Sequence, residues 1–281
     1  MRFGISAFVT DRSMRPDELA REVEARGFDS LVVPEHTHIP ASRRTPPPMG
    51  DPLPEQYLRA LDPFVALTAA AMATERLRVG TAVCLVAQRD PIVTAKEVAT
   101  LDLLSGGRFV FGIGFGWNAE EMAGHGVAYH ERRRVAREKV LAMQRLWAQD
   151  EAVFKGEYVE FEPSWSWPKP VQRPRPLTLI GGGAGPTLFA HVAEYADGWM
   201  PIGGKGVAAA LPELRAAMER AGRDPATLEI VPVGSTPDPS KLAYFESIGV
   251  SETVFGTPHG PRDVVLPELD RCAEAVELYR R

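Results

Sequence analysis

The chain has 281 residues, 44% hydrophobic and 25% charged, a composition that suits a folded protein with a large core and excludes a disordered or collagen-like one. A formal net charge of −5 excludes a protein whose main partner is nucleic acid, which needs a basic stripe, and Arg132 to Arg134 reads as the solvated start of a helix. Two cysteines without CxxC spacing, Cys84 and Cys272, indicate neither a disulfide framework nor a structural zinc, and the first residues fit neither a signal peptide nor a membrane span, so a cytoplasmic protein is expected.

Short apolar strands then alternate with helical patterns. A strand over 3–8 precedes a helix over 16–26, and a strand over 30–34 precedes a helix over 63–73. The uncharged run 79–85 predicts a parallel strand buried on both faces. Asp90 caps the next helix and Pro91 opens it, Ala95, Val98 and Leu101 share its buried face, and Gly106-Gly107 stop it. A strand over 109–113 ends in Gly112, Gly114 and Gly116, which let a ligand approach the main chain. A helix follows over 132–147, with Ala136, Val140, Met143 and Trp147 on one face, then a strand over 177–180 and a helix over 186–195. Strands over 199–202, 228–233 and 253–255 complete the series, with helices over 211–221, 241–248 and 261–279. The count is about eight β/α units, which predicts an α/β fold of one domain over 1–281, a closed (β/α)8 TIM barrel with loop insertions. The two long loops, 37–61 and 156–176, read equally as substrate lids, dimer contacts or plain insertions, and Trp165 and Trp167 either cover an apolar pocket or pack on the exterior.

Three places carry candidate chemistry. Glu35-His36 closes the second strand, at the edge where barrel enzymes hold catalytic groups; His36 is the candidate proton donor or acceptor, against the alternative of a structural histidine. Glu35 is read as bonding a ligand ring or holding the tautomer of His36. Gly181-Gly182-Gly183-Ala184-Gly185 ends a strand before a helix opened by Pro186, so that free amide groups and the helix dipole favour an anion such as phosphate, the alternative being a flexible turn. Gly112-x-Gly114-x-Gly116 fits a Rossmann turn poorly, because the GHGVAYHERRR segment follows where a helix should start. Asn118, Glu120 and Glu121 fall on an early loop or helix, where acids also favour a helix start. His36-x-His38 with His125 and His130 raises a metal-dependent hydrolase, but no carboxylate constellation matches it and no metal is expected.

Arg89-Asp90-Pro91, Ala95 to Asp102, Ser105 to Arg108 and Gly112 to Gly116 form a run of motifs. They are joined by Phe28 to His36, Lys169 to Pro174, Ile180 to Gly183 and Ala196-Asp197-Gly198-Trp199. Together they resemble the bacterial luciferase-like monooxygenase family, particularly its members that use the deazaflavin coenzyme F420. The resemblance covers residues 1 to about 200 well and rests beyond that on Gly222-Arg223-Asp224-Pro225. It implies a coenzyme F420-dependent oxidoreductase acting on an organic small molecule, with His36 near the reactive ring and Glu35 where an aspartate is often found. It also implies Gly114, Phe115, Gly116 and Trp117 along the deazaflavin and its ribityl chain, and Gly181, Gly182, Gly183 and Ala184 at the coenzyme phosphate. A non-proline cis peptide between Ala82 and Val83 is implied behind the ring. Arg89 and the Arg43-Arg44 pair are candidates to face an anionic coenzyme tail or substrate. Trp117 stands where the family's sugar-phosphate dehydrogenases carry a catalytic glutamate, which argues against that activity. An FMN monooxygenase and a non-catalytic coenzyme-binding protein stay open as alternatives, and a homodimer is expected.

Overall fold

A computed structural model describes residues 1–281. The chain opens with β1 (Arg2–Ser6), α1 (Pro16–Ala25), β2 (Ser30–Val33), α2 (Pro63–Met72), β3 (Arg78–Thr81), α3 (Pro91–Leu104) and β4 (Phe109–Ile113). A short helix α4 (Ala119–Gly124), the long α5 (Arg132–Ala148) and an antiparallel hairpin of β5 (Glu151–Lys155) and β6 (Glu160–Trp165) follow. The remainder is β7 (Leu177–Gly181), α6 (Pro186–Tyr195), β8 (Gly198–Met200), α7 (Val207–Arg220), β9 (Glu229–Ile230), β10 (Val233–Ser235), α8 (Pro239–Ser247), β11 (Glu252–Gly256) and α9 (Arg262–Arg280). No helix is long and apolar enough to cross a membrane.

Local chemistry sets these boundaries. Asp90 accepts hydrogen bonds from the Ile92 and Val93 amides, both at 2.9 Å, and Pro91 occupies the first turn of α3, where its missing N–H leaves nothing unpaired. Gly106 and Gly107, at φ +66° and +83°, then turn the chain in a conformation that side chains disfavour.

The strands run in the order β10-β11-β1-β2-β3-β4-β7-β8-β9, every pair parallel. β9 and β10 are two halves of one stave, interrupted at Val231-Pro232 because proline has no N–H for the ladder. β9 pairs with β8 and β10 with β11, while Ile202 bridges to Val233, so the sheet closes on itself as an eight-stave TIM barrel.

Alternation along each stave sorts the side chains. Val32, Val110, Leu179, Met200, Val231 and Val254 pack on one another inside the barrel. Their neighbours, among them Phe3, Leu31, Val79, Phe111, Ile180 and Phe255, face the helices and join the main core. The amino-terminal end of the barrel is closed by a polar cluster. Glu252 accepts from Arg78 Nη1 at 2.9 Å, from Arg2 Nε at 3.3 Å and from the Ser30 hydroxyl, and Arg2 also reaches Glu229 at 2.6 Å. Only the carboxyl end is left open.

Three expectations are corrected. The strand expected over 79–85 stops at Thr81; the Ala82-Val83 peptide is cis, as the resemblance implied, and a 3-10 turn over Val86–Gln88 follows. The strand expected over 228–233 is split by Pro232. The segment 156–176 is not all loop, because Glu138 of α5 accepts from the Glu157, Tyr158 and Val159 amides and thereby folds the hairpin, whose Phe154 and Phe161 rings stack at 6.2 Å. Trp165 and Trp167 are exposed, with the Trp167 carbonyl tied to Lys96 of α3, so neither covers the open end.

Glu252 is 4% exposed and serves both Arg2 and Arg78. Glu252→Ala is expected to destabilise the protein by about 3–5 kcal/mol, the usual result of removing one partner from a buried ion pair. A urea denaturation midpoint equal to wild type would show that the polar plug is dispensable.

Candidate active site at the carboxyl end of the barrel

Glu35 and His36 lie just beyond β2, which ends at Val33, and their side chains take different partners. Glu35 turns outward into the layer between strand and helices. It is 2% exposed, accepts the Leu85 amide at 2.6 Å and receives Arg89 Nε at 2.6 Å. Arg89 also bonds Asp62, the cap of α2, at 2.8 Å and Glu97 of α3 at 2.9 Å, with its guanidinium over the Phe64 ring. Burial opposes the charge on Arg89, but Glu35 and the carboxylates around it outweigh that effect and hold its pKa above the ordinary value. Two sequence-based readings are thereby corrected. Glu35 neither holds the tautomer of His36 nor has an oxygen free for a ligand ring, and Arg89 is consumed by three carboxylates rather than facing an anionic tail. Arg44 likewise pairs with Glu120, whereas Arg43 lies 3.8 Å from Asp51 and its Nη1 and Nη2 have no hydrogen-bond partner.

His36 faces the mouth. Its Nδ1 lies 2.9 and 3.2 Å from the two carboxylate oxygens of Glu121. Glu121 is 0% exposed; Asn118 caps α4 by accepting from the Glu120 and Glu121 amides, and that turn delivers the Glu121 carboxylate to the imidazole. Around the imidazole stand Tyr57 at 5.2 Å and Trp117 at 5.8 Å between ring centroids, with Phe8 packed on Tyr57 at 4.7 Å. Burial raises the pKa of the Tyr57 phenol. Tyr57 comes from the long loop 37–61, which Arg12–Glu55, Arg59–Asp11 and the Thr10–Ala60 bridge tie to the chain after β1. That loop is a wall of the mouth.

The Glu121 contact was not anticipated. Asn118-x-x-Glu121 has the spacing of a helix-capping pair, and such a pattern reads as a helix start whatever else the acid does. Only the fold shows that the carboxylate reaches His36 instead of the helix terminus.

Val83 is the meeting point of two strand ends. A Cβ at Gly114 or at Gly181 would collide with its side chain, so both positions require glycine, and Ala82 and Val83 are partly exposed at the mouth. Beyond Gly114, the Phe115 ring lies 4.4 Å beneath the Arg133 guanidinium and 5.4 Å from His191 of α6. Arg133 is therefore half-buried, with Nη1 lacking a hydrogen-bond partner, and is not simply a solvated helix start.

Gly182, Gly183, Ala184 and Gly185 follow β7, and none of their main-chain N–H groups is engaged by another group of the chain. The carbonyl of Gly182 is held by Trp199 Nε1 at 2.8 Å, which fixes the turn. Four unengaged amides at the start of α6, with open space at Gly183, form a cradle suited to an anion. His38 and His125 both turn to the Thr37 hydroxyl, at 3.0 and 2.7 Å, and His36 turns to Glu121. No three His, Cys, Asp or Glu side chains are grouped to hold a metal ion.

Residues 1–236 match the family described as luciferase-like monooxygenase. An uncharacterised protein of Mycobacterium tuberculosis is 43% identical over 277 residues, which cover 97% of this chain and 98% of that one. An F420-dependent glucose-6-phosphate dehydrogenase of Kineococcus radiotolerans is 32% identical over 216 residues, 73% of this chain and 58% of that protein. Among solved structures, a monooxygenase from Streptomyces bottropensis superposes with a TM-score of 0.81 at 21% identity, covering 100% of both chains, a likeness of fold. The chain belongs to the luciferase-like monooxygenase family.

Proposed function

We propose that this chain is an F420-dependent oxidoreductase that moves a hydride between the deazaflavin and an uncharged organic substrate. The observation that carries the reading is the cradle of unengaged amides over 182–185, next to the Val83 notch and on the same barrel end as His36. The similarity to an F420-dependent dehydrogenase supports the choice of coenzyme. When bound, the coenzyme supplies the hydride chemistry. The chain's own residues would do the rest: the 182–185 amides would hold its phosphate, Val83 and the 114–117 segment would line the coenzyme, and His36 would exchange a proton at Nε2.

The substrate class follows from the walls. Phe8, Tyr57 and Trp117 surround the imidazole, whereas Arg89 and Arg44 are paired with carboxylates. The aromatic wall beside the imidazole, where these two arginines are already paired, suits an apolar or neutral substrate group better than a sugar phosphate. Trp117 in place of a glutamate points the same way.

The family description favours a second reading, an FMN monooxygenase, because a phosphate cradle serves either coenzyme. Side-by-side fluorescence titration of the apoprotein is expected to give at least about tenfold tighter binding of F420 than of FMN, a difference of about 1.4 kcal/mol. The reverse order would move the assignment to FMN. Tight F420 binding with no hydride exchange across a broad panel of alcohols, carbonyls and enones would leave a coenzyme carrier.

The cradle can be tested without steric ambiguity at Gly183, where an added Cβ meets nothing within 4 Å. Gly183→Ala is expected to bind coenzyme like wild type. Gly183→Asp should weaken it by about 10²–10³-fold, since two like charges ~4 Å apart at an effective dielectric near 20 repel by ~4 kcal/mol. Equal affinities for both variants would remove phosphate from this turn.

A homodimer and a cytoplasmic setting complete the proposal. Val65 and Met72 of α2, with Ile92 and Val93 of α3, form an exposed apolar face beside a groove between the two helices, an unusual surface for a monomer. Light scattering is expected to give twice the 30.8 kDa chain mass, and Val65→Glu combined with Ile92→Glu should halve it. A wild-type mass equal to one chain would end the dimer reading.

A further inference from the structure

We propose that Glu121 is a positioning residue for His36: it fixes the imidazole as the Nδ1–H tautomer, so that Nε2 is the nitrogen that exchanges a proton at the barrel mouth. The inference deepens the reading of His36 above and adds a residue that the sequence assigns only to a helix start.

Burying a carboxylate away from water is costly. Glu121 is 0% exposed, yet no arginine or lysine lies within ion-pair distance of it; its oxygens meet only His36 Nδ1 and the Thr37 amide, the latter at 3.3 Å. A buried charge with so few partners is expensive unless a counter-charge can form beside it. His36 is the one group in contact that can supply it. An ionised carboxylate can only accept, so the proton between the two residues sits on Nδ1, and the neutral ring leaves Nε2 as an acceptor. Uptake of a proton at Nε2 then converts a buried net negative charge into a neutral ion pair. A proton taken up at Nε2 is released again without breaking the Nδ1 bond.

The neighbouring charged groups do not supply an alternative. Glu120, next on α4, turns away to Arg44 and the Thr45 hydroxyl. Glu35 is committed to Arg89 and the Leu85 amide, and Lys139 of α5 donates to the carbonyls of Ala87 and Arg89. His38 and His125 meet at the Thr37 hydroxyl rather than at Glu121, and burial, with His38 beside it, lowers the pKa of His125. Tyr57 and Trp117 meet the His36 ring from the opposite walls, and the phenol stays neutral.

If Glu121 only tethered α4 to the loop after β2, its removal would loosen both without changing the imidazole tautomer. The test reads that tautomer in apoprotein labelled with 15N at histidine, with the His36 signals identified by their loss in His36→Gln. Wild type is expected to show the Nδ1–H pattern when neutral. In Glu121→Gln, a near-isosteric change whose amide can also donate to Nδ1, the proton should redistribute toward Nε2. Glu121→Asp should keep the Nδ1–H pattern. Circular dichroism checks that the variants fold. An Nε2–H pattern in wild type, which needs no variant, or an Nδ1–H pattern in Glu121→Gln as complete as in wild type, would overturn the proposal. Because the measurement uses apoprotein, failure to bind F420 would count against the functional reading and leave this result untouched.

Discussion

The buried Glu35–Arg89 pair is the interaction on which the open end of the barrel depends. One oxygen of Glu35 receives the Leu85 amide and the other receives Arg89, so the end of β2 is bonded to the segment just after the Val83 turn. Arg89 then extends to Asp62 at the start of α2 and to Glu97 on α3. The end of β2, the start of α2 and α3 thereby meet at one guanidinium. Breaking this group would leave the buried Glu35 carboxylate without a counter-charge, so the arrangement is held as a unit. The position of Val83 against Gly114 and Gly181, and with it the shape of the mouth, follows from this anchor.

The two ends of the barrel use charge in opposite ways. At the amino-terminal end Arg2, Arg78, Glu229 and Glu252 cancel one another, closing the interior with groups that satisfy each other. At the carboxyl end the polar groups are left incomplete: unengaged amides over 182–185, an imidazole nitrogen facing the mouth, and an Arg133 nitrogen without a partner. Incomplete hydrogen bonding is tolerated where a ligand or water can finish it. The rigidity of one end therefore supports the availability of the other.

Several residues that carry the family resemblance are structural. Arg108, which ends the Ser105 to Arg108 turn, donates to the carbonyls of Ala71, Thr74, Leu77 and Ser105. Asp102 accepts the amide and side chain of Gln172, and Asp197 pairs with Arg175. These contacts lock connections between staves below the mouth. A motif can therefore identify the fold through residues that never meet a ligand, which is why the resemblance names a coenzyme class but says little about the substrate. Only the walls of the mouth speak to that, and two of them, Tyr57 and Trp117, are brought together by a loop whose path local sequence does not dictate.

The amino-acid sequence by itself determined the alternation of strands and helices, their caps and stops, and hence the barrel, because these rest on local periodicity, on Asp90-Pro91 at a helix start and on paired glycines at its end. It also determined which end would hold the site, since glycines collect where strands finish. It did not determine partners. Glu35 and His36 are adjacent in sequence, and only the tertiary structure gave Glu35 to Arg89 and His36 to Glu121. Nor did it reveal the hairpin over 151–165, which forms because Glu138 on a distant helix gathers its turn amides. In each case the deciding bond joins residues far apart in the chain, and its strength comes from burial, which exists only once the fold has closed.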